Sequence, residues 1–213
     1  MKSLLEIKVC GINDKISMDT SINNSVNYIG LVFYNKSPRN LSIAKARSLI
    51  QHRNKTSKIV ALTVNPDDAF LFEIMKYIKP DYVQLHGEET PNRCENIKNK
   101  FKTSIIKGIG ITYDMEINNF IKPYEEICDI LILDAPSEEL PGGNGKKFDW
   151  KMLKNFKPQK KWMLAGGLNI RNISEAISIT KPPGIDISSG LEIKKGVKDP
   201  KLINEFVTKC RNL

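Results

Sequence analysis

The chain has 213 residues and a formal net charge of +9, with 40% hydrophobic and 27% charged residues, which is the composition of a globular protein in water. No apolar run approaches the roughly 18 residues that a membrane-spanning helix needs, so we expect no membrane protein. The lysines are spread along the whole chain without a run of five or more basic residues, which argues against a nucleic-acid partner.

The N-terminal segment MKSLLEIKVCGIND is interpreted as a first strand rather than a secretion signal. It has neither a long apolar region nor a small-residue cleavage site. Its cysteine is one of four that form no CxxC pair: Cys10, Cys94, Cys128 and Cys210. With only two histidines in the chain, no zinc-ligand spacing occurs, and we expect no metal. Scattered cysteines are typical of a reducing compartment, and we predict a cytoplasmic protein.

Eight short apolar or β-branched runs follow one another along the chain, and each predicts a buried strand. In chain order they are LLEIKVC, NYIGLVF, KIVALTV, YVQL, SIIKGIG, DILILD, KWMLAG and GIDIS. The longer stretches between them predict helices, for example SIAKARSLIQHRNK, PDDAFLFEIMKYIK, NRCENIKNKFK, NISEAISIT and PKLINEFVTKCR. Two helix starts carry cap signals, namely Asn65 before Pro66 and Asp199 before the proline of KDPKL.

The alternation gives one strand–helix unit per roughly 27 residues, which is the size of a compact βα repeat. Nearly continuous apolar strands that alternate with helices indicate a parallel sheet covered by helices. Eight units favour closure, so we predict an α/β protein with a single (β/α)8 TIM barrel of eight parallel strands, spanning residues 1–213 as one domain. A doubly wound open sheet is the alternative, but the first turn, CGINDK, lacks the GxGxxG of a dinucleotide-binding fold.

Polar and small residues gather where the predicted strands stop, which is where such barrels build their active sites. In chain order these ends are Cys10-Gly11, Phe33, Val64-Asn65, Gln84 to Gly87, Lys107-Gly108, Asp134, Ala165 to Gly167, and Ser188 to Gly190. A cysteine in an apolar run is usually a small core residue. Here, however, Cys10 would face the same mouth as Asp134, and we interpret it as a functional residue.

Two glycine-rich turns, AGGLN and SSGLE, follow the seventh and eighth predicted strands. Glycine allows a backbone to approach a ligand closely, and the N–H groups at a following helix start can bind an anion. A phosphate site formed by the loops after strands seven and eight is a recurrent feature of these barrels. The two turns therefore predict a phosphorylated small-molecule substrate.

Seven motifs in order carry a family resemblance: KVCGIN, GLVFYNKSPR, VQLHGEE, LILDA, PGGNGKKFDW, LAGGLN and GIDISSGLEIKKGVKD. Together they resemble the phosphoribosylanthranilate isomerases of tryptophan biosynthesis, from residue 8 to about residue 200. The resemblance implies a (β/α)8 barrel and an Amadori rearrangement of N-(5-phosphoribosyl)anthranilate to 1-(2-carboxyphenylamino)-1-deoxyribulose 5-phosphate, without a cofactor.

An aldose-to-ketose rearrangement needs a general acid to open the sugar ring and a general base to take the C2 proton. The resemblance implies that Cys10 is the base, acting as a thiolate, and that Asp134 is the acid that protonates the ring oxygen. For this role the pKa of Cys10 has to fall towards 7, although a nearby phosphate opposes that shift. Asp134 has to keep a proton near neutral pH, which predicts that it is buried among apolar residues.

The resemblance also implies binding residues. Arg39, in SPR, would bind the anthranilate carboxylate by its bidentate fork, and Asp186 would orient a hydroxyl or the anilino nitrogen. Gln84 and His86 share one face of a strand and are interpreted as substrate-binding, with His86 not the essential base. The predicted phosphate ligands are Gly166, Gly167, Ser188, Ser189 and Gly190. The PGGNGKKFDW loop departs from the family with Asn144 in place of threonine or serine, which bears on affinity.

Other interpretations stay open from the sequence. The histidine-pathway isomerase family shares the fold and reaction type, but has an aspartate at the position of Cys10 and two phosphate sites. Indole-glycerol-phosphate synthase needs a lysine at the end of an early strand, where this chain has Phe33. A catalytically inactive barrel kept as a scaffold is the alternative of a different class. The oligomeric state is expected to be a monomer or a homodimer.

Overall fold

The computed structural model describes residues 5–53, 56–113, 115–136, 149–153 and 156–213. Eight parallel strands form a closed barrel in chain order, which confirms the predicted fold. They are β1 Glu6–Cys10, β2 Tyr28–Phe33, β3 Lys58–Thr63, β4 Tyr82–Leu85, β5 Ser104–Gly110, β6 Ile130–Asp134, β7 Lys161–Leu164 and β8 Gly184–Ile187.

Seven α-helices among the described residues cover the barrel. They are α1 Lys15–Asn23, α2 Ile43–Ile50, α3 Asp68–Tyr77, α4 Pro91–Phe101, α5 Ile117–Ile127, α6 Ile173–Thr180 and α7 Pro200–Arg211. Between β6 and β7 the described part of the chain contains one short 3-10 helix, Trp150–Leu153, rather than the α-helix that a regular sixth strand–helix unit would supply. After β8, a 3-10 turn at Ser189–Leu191 leads into a hairpin of β9 Glu192–Lys194 and β10 Val197–Lys198, which the sequence did not predict.

One of the two predicted helix caps is wrong. Helix α3 begins two residues later than expected, because Asp67 is its cap and accepts a hydrogen bond from the N–H of Phe70. Asn65 instead has a left-handed backbone conformation (φ 46°), and its side-chain oxygen accepts a hydrogen bond from the N–H of Glu88. The second cap is confirmed: Asp199 caps α7, with Pro200 in the first turn.

Alternate residues of each strand face the helices and the barrel interior. In β1, Ile7 and Val9 belong to the large core between the strands and the helices. The interior contains a separate apolar cluster of Tyr28, Val60, Ile106, Ile130, Ile132, Met163 and Ala165. A third cluster of Cys10, Val32 and Leu62 lies at the carboxyl end of the barrel. Closure of the barrel pairs β1 with β8 and sets Lys8 beside Asp186.

Candidate active site

A pocket of about 690 Å³, measured to its open mouth, lies at the carboxyl end of the barrel. Its lining residues are Cys10, Val32, Tyr34, Ser37, Arg39, Leu62, His86, Asp134, Ala165, Gly166, Gly167, Leu168, Asp186, Ser188 and Ser189. Nine of the eleven residues predicted from the sequence are among them. The two that are not are Gln84 and Gly190.

Gln84 is completely buried and lies behind His86 rather than on the pocket wall. Its Nε2 is 2.8 Å from His86 Nδ1. If the amide donates this hydrogen bond, Nδ1 accepts and the ring proton is on Nε2, the nitrogen that faces Asp134. Gln84 therefore does not line the pocket as His86 does, and its role as a substrate-binding residue stays a prediction. Its neighbour on the same face is the imidazole, and it orients that ring.

Asp134 ends β6 and is 8% exposed, so the predicted burial of this carboxyl group is confirmed. The N–H of Ala135 donates a hydrogen bond to its Oδ1 at 2.7 Å. Its Oδ2 lies 3.4 Å from His86 Nε2. One oxygen is thus held by the backbone, while the other faces the imidazole at the pocket wall. The arrangement fixes the carboxyl group in one orientation.

Cys10 ends β1 and is 5% exposed, at the edge of the pocket. The structure does not bear out the expectation that its pKa falls towards 7. Burial raises the pKa of the Cys10 thiol above its ordinary value, and the positive charge of Lys8 opposes that rise. Asp186 raises this pKa further, while Lys198 lowers it. Desolvation is the largest of these effects, because the sulfur lies in the apolar upper end of the barrel.

Arg39 lies on the pocket wall, with one edge of its guanidinium bound to Glu192. Its Nε and Nη2 donate to the two carboxylate oxygens at 2.6 and 2.9 Å. Lys198 Nζ donates to the same carboxylate at 2.6 Å and to the carbonyl oxygen of Ser188 at 3.1 Å. The predicted bidentate contact with a substrate carboxylate therefore cannot use the Nε edge in this arrangement.

Glu192 gives this cluster a marked pH dependence. Burial alone raises the pKa of Glu192, but Arg39 and Lys198 outweigh burial and lower it from 4.5 to about 2. The carboxylate therefore contributes stability above its unfolded pKa, and this contribution is lost as the pH falls from about 4.5 to about 2.

We expect Glu192→Gln to lower the free energy of unfolding at pH 7 by about 3 kcal/mol, the value of the pKa difference. The difference from wild type should shrink as the pH falls below about 4.5 and vanish near the folded-state value of about 2. Urea unfolding between pH 3 and 7 measures it. Asp68→Asn, which removes an exposed carboxylate that contacts Lys100 and Arg93, is the control. A Glu192→Gln penalty that is independent of pH would contradict this account.

The two glycine-rich turns form one wall of the pocket. Gly166 and Gly167 both have positive φ, 86° and 62°, a conformation that favours glycine. The helices that follow do not begin at these turns, since α6 starts at Ile173 and only a 3-10 turn follows β8. An α-helix start is therefore not available at either turn, which leaves turn N–H groups and serine hydroxyls as the donors that an anion could use.

Gly190 lies behind this wall rather than in it. A Cβ at this position would overlap the carbonyl oxygen of Leu168, so the glycine allows the two turns to touch. Lys198 ties the same region to the hairpin through the Ser188 hydroxyl at 3.3 Å. The close approach explains a glycine here without direct contact with a ligand.

Three charged residues of the site were missed: Lys8, Glu192 and Lys198. Lys8 carried a signal in the sequence, because it is a charged residue inside an apolar strand with the same parity as Cys10. Glu192 and Lys198 are in the hairpin that follows β8 and had no periodic signal. The departure from the family at Asn144 lies outside the described residues.

Within the part of the chain that the structure describes, no group of three or more His, Cys, Asp or Glu side chains is arranged to hold a metal ion. None of the described helices is both long and apolar enough to span a membrane.

Comparison with known proteins gives one consistent family. A family model described as N-(5'phosphoribosyl)anthranilate (PRA) isomerase matches residues 7–209. An N-(5'-phosphoribosyl)anthranilate isomerase of Mesorhizobium japonicum is 39% identical over 210 residues, which are 97% of this chain and 95% of that protein.

Two solved structures extend the likeness to the fold. The phosphoribosyl anthranilate isomerase of Thermotoga maritima superposes with a TM-score of 0.88 at 28% identity, over 99% of this chain and 100% of the other. A phosphoribosyl anthranilate isomerase in complex with reduced 1-(o-carboxyphenylamino)-1-deoxyribulose 5-phosphate gives a TM-score of 0.85 at 27% identity, with the same coverage.

Proposed function

Since the chain belongs to the N-(5'-phosphoribosyl)anthranilate isomerase family, we propose that Cys10 and Asp134 are the general base and general acid of its reaction. The reaction is the Amadori rearrangement of N-(5-phosphoribosyl)anthranilate to 1-(2-carboxyphenylamino)-1-deoxyribulose 5-phosphate in tryptophan biosynthesis. The observation that carries the assignment is that a buried thiol and a buried carboxyl group, from opposite halves of the chain, line one pocket.

Asp134 acts first. Its proton passes to the ring oxygen of the sugar as the bond from that oxygen to C1 breaks, and the nitrogen lone pair forms a C1–N double bond. The hydrogen bond from Ala135 to Oδ1 leaves Oδ2 as the oxygen that faces the pocket. We therefore assign Oδ2 as the oxygen from which the proton passes to the ring oxygen.

Cys10 acts second. The thiolate takes the proton from C2, the electrons of the C–H bond form the C1–C2 double bond, and the nitrogen regains its lone pair. The resulting enol becomes the ketone by proton transfer from its hydroxyl group and to C1. The thiol lies in the apolar cluster with Val32 and Leu62, where little water competes for the sulfur.

The two ends of the substrate are assigned to different residues of the pocket. The turns at Gly166-Gly167 and Ser188-Ser189 would bind the phosphate, as their backbone conformation and hydroxyl groups allow. Arg39, fixed by Glu192, would bind the anthranilate carboxylate. A substrate bound at both ends would have its reacting atoms C1 and C2 held in a fixed orientation relative to the acid and the base.

We expect Gly190→Ala to weaken phosphate binding, because the added methyl group forces the two turns apart. The inhibition constant of inorganic phosphate should rise at least about tenfold, the effect of losing one hydrogen bond to a charged group. Gly184→Ala is the matched control. Gly184 begins β8, at the end of the barrel away from the pocket, and an added Cβ there would lie 3.1 Å from Cγ of the flexible Met163 side chain. Unchanged phosphate inhibition in Gly190→Ala would contradict this assignment of the turns.

Growth complementation tests the function in cells. A bacterial strain that lacks its own phosphoribosylanthranilate isomerase should grow without tryptophan when it produces the wild-type chain. The Cys10→Ala/Asp134→Asn variant, produced at the same level, should not restore growth. Failure of the wild-type chain to restore growth, although it is produced and folded, would favour the alternative of a catalytically inactive barrel.

We also propose a cytoplasmic location. All four cysteines are unpaired thiols, which is the state that a reducing compartment maintains. Fractionation of cells that produce the chain, followed by immunodetection, checks this location, and recovery in an extracytoplasmic fraction would contradict it.

A further inference from the structure

Lys8 is a charged residue that the reaction, as assigned above, does not use. It lies on β1 two residues before Cys10, and both side chains face the barrel interior. Lys8 is 0% exposed, and the apolar cluster of the interior begins at its strand neighbour Tyr28. An ammonium group at such a place is strongly unfavourable unless negative or polar groups compensate it.

Two groups that line the pocket lie beside this ammonium. Asp186, its cross-strand neighbour on β8, accepts a hydrogen bond from Lys8 Nζ at 2.9 Å. The Cys10 thiol lies two residues further along β1 on the same face, and the positive charge of Lys8 acts on it. A single buried positive charge therefore acts on both a carboxylate and a thiol.

We propose that Lys8 is a positioning residue that stabilises the Cys10 thiolate, and that Asp186 limits this effect because it binds the same ammonium. The inference rests on the proposed role of Cys10 as the base. It assigns to Asp186 a function on the enzyme itself, in addition to any contact with substrate. The thiolate is stabilised by a fixed charge below it, so no water molecule or mobile side chain is required.

The direction of each effect follows from the surroundings. Burial raises the pKa of Cys10, Lys8 lowers it, and Asp186 raises it. Burial also disfavours the ammonium of Lys8, but Asp186 and Cys10 outweigh burial, so the pKa of Lys8 is raised and the group stays charged. Lys8 and Asp186 therefore act in opposite directions on the thiol, in addition to the larger effect of burial.

Other charged groups face Cys10 from the remaining walls. Lys198, from the hairpin, also lowers the pKa of Cys10, but its ammonium is bound to Glu192 at 2.6 Å. Arg39, His86 and Asp134 line the same pocket. Lys8 is distinguished from them by its place beneath the sulfur on the same strand.

Alkylation of Cys10 by iodoacetamide between pH 7 and 9, measured by mass spectrometry of its peptide, tests this inference. Below the pKa of the thiol the rate is proportional to the thiolate fraction. We expect Lys8→Met to slow alkylation at pH 8 at least about tenfold, equivalent to one pKa unit. Asp186→Asn should accelerate it, because the whole ammonium becomes available to the thiol. If the alkylation rate falls in one variant and rises in the other, the cause is the charge of the ion pair, because a general loss of structure would change both rates in the same direction.

Lys107→Met is the matched control. Lys107 is another buried lysine of the barrel and is paired with Glu89 at 3.0 Å, but neither residue lines the pocket. It should lower stability as Lys8→Met does and leave the Cys10 alkylation rate unchanged. If a single variant at the Lys8–Asp186 pair does not fold, Lys8→Met/Asp186→Asn removes both charges together. This double variant should still alkylate more slowly than wild type, because Lys8 affects the thiol more than Asp186 does.

Activity gives a second readout. The kcat of Lys8→Met at pH 7 should fall at least about tenfold with little change in KM, and the deficit should shrink as the pH rises. An unchanged alkylation rate in folded Lys8→Met, or in the double variant, would overturn the inference. Alkylation needs no turnover, so a failure of Cys10 as the base, shown by an active Cys10→Ala variant, is recognised separately.

Discussion

Replacement of Cys10 by alanine should lower kcat by roughly 10² to 10⁴ and change KM little. Removal of a positioned general base costs this much, while the groups assigned to the phosphate and the carboxylate stay in place. Steady-state kinetics that follow the loss of substrate fluorescence measure both constants.

Cys10→Ser is the matched control, because serine preserves the size of the side chain and the contact with Val32 and Leu62. A hydroxyl is far less acidic than a thiol, so the serine variant should be about as inactive as the alanine variant. A serine variant with wild-type activity would show that packing at β1, rather than a thiolate, is what the reaction needs. An alanine variant within a few-fold of wild type would remove Cys10 from the mechanism altogether.

Asp134→Asn should lower kcat by a similar factor, roughly 10² to 10⁴, since asparagine fills the same space and donates no acidic proton. Its side-chain oxygen can still accept the hydrogen bond that Ala135 donates, so the loop after β6 should keep its conformation. Kinetics, with thermal unfolding as a check of folding, separate the loss of the acid from a loss of structure.

Asp129→Asn is the control for this prediction. Asp129 directly precedes β6 at the opposite end of the barrel, where it pairs with Lys98 at 3.0 Å. This variant should lose some stability and keep its activity within roughly twofold, because a partly exposed ion pair contributes about 0–1 kcal/mol. If Asp134→Asn were as active as Asp129→Asn, another group would have to protonate the ring oxygen.

The strands and their order could be predicted because a strand that is buried on both faces is a nearly continuous run of apolar residues in the sequence. Strands β2 and β6, for example, are apolar along nearly their whole length, and polar residues follow the apolar runs at the carboxyl end of the barrel. The same logic predicts from the sequence that Cys10 and Asp134 lie at one mouth of the barrel. Family motifs then supplied the roles that spacing alone does not define.

The errors have local causes. Asn65 precedes a proline and is a residue type that often caps helices. Two aspartates, Asp67 and Asp68, follow it and can also cap, and Asp67 is the residue that caps the helix. Asn65 is instead bound to the loop after β4, a contact between distant segments that sequence periodicity does not record. Gln84 had the right parity, and the structure places it one layer deeper than the pocket wall.

The ion pairs of the site could not be predicted from the sequence, because their partners are far apart along the chain. Lys8 and Asp186 are 178 positions apart, and Arg39 and Glu192 are 153 apart. Only closure of the barrel brings β1 beside β8, and only the hairpin after β8 brings Glu192 to Arg39. The pKa of Cys10 depends on its burial and on these charged neighbours. Because the sequence does not show which of them lie close together, it could not predict the direction of this pKa shift.

The most direct test is a turnover assay of the purified wild-type chain with freshly generated N-(5-phosphoribosyl)anthranilate. The assigned site predicts loss of the substrate fluorescence with a kcat/KM of at least about 10⁴ M⁻¹s⁻¹, within the range of natural enzymes. Absence of turnover, in a sample that still binds reduced 1-(o-carboxyphenylamino)-1-deoxyribulose 5-phosphate, would contradict it and leave a barrel that binds the ligand without converting it.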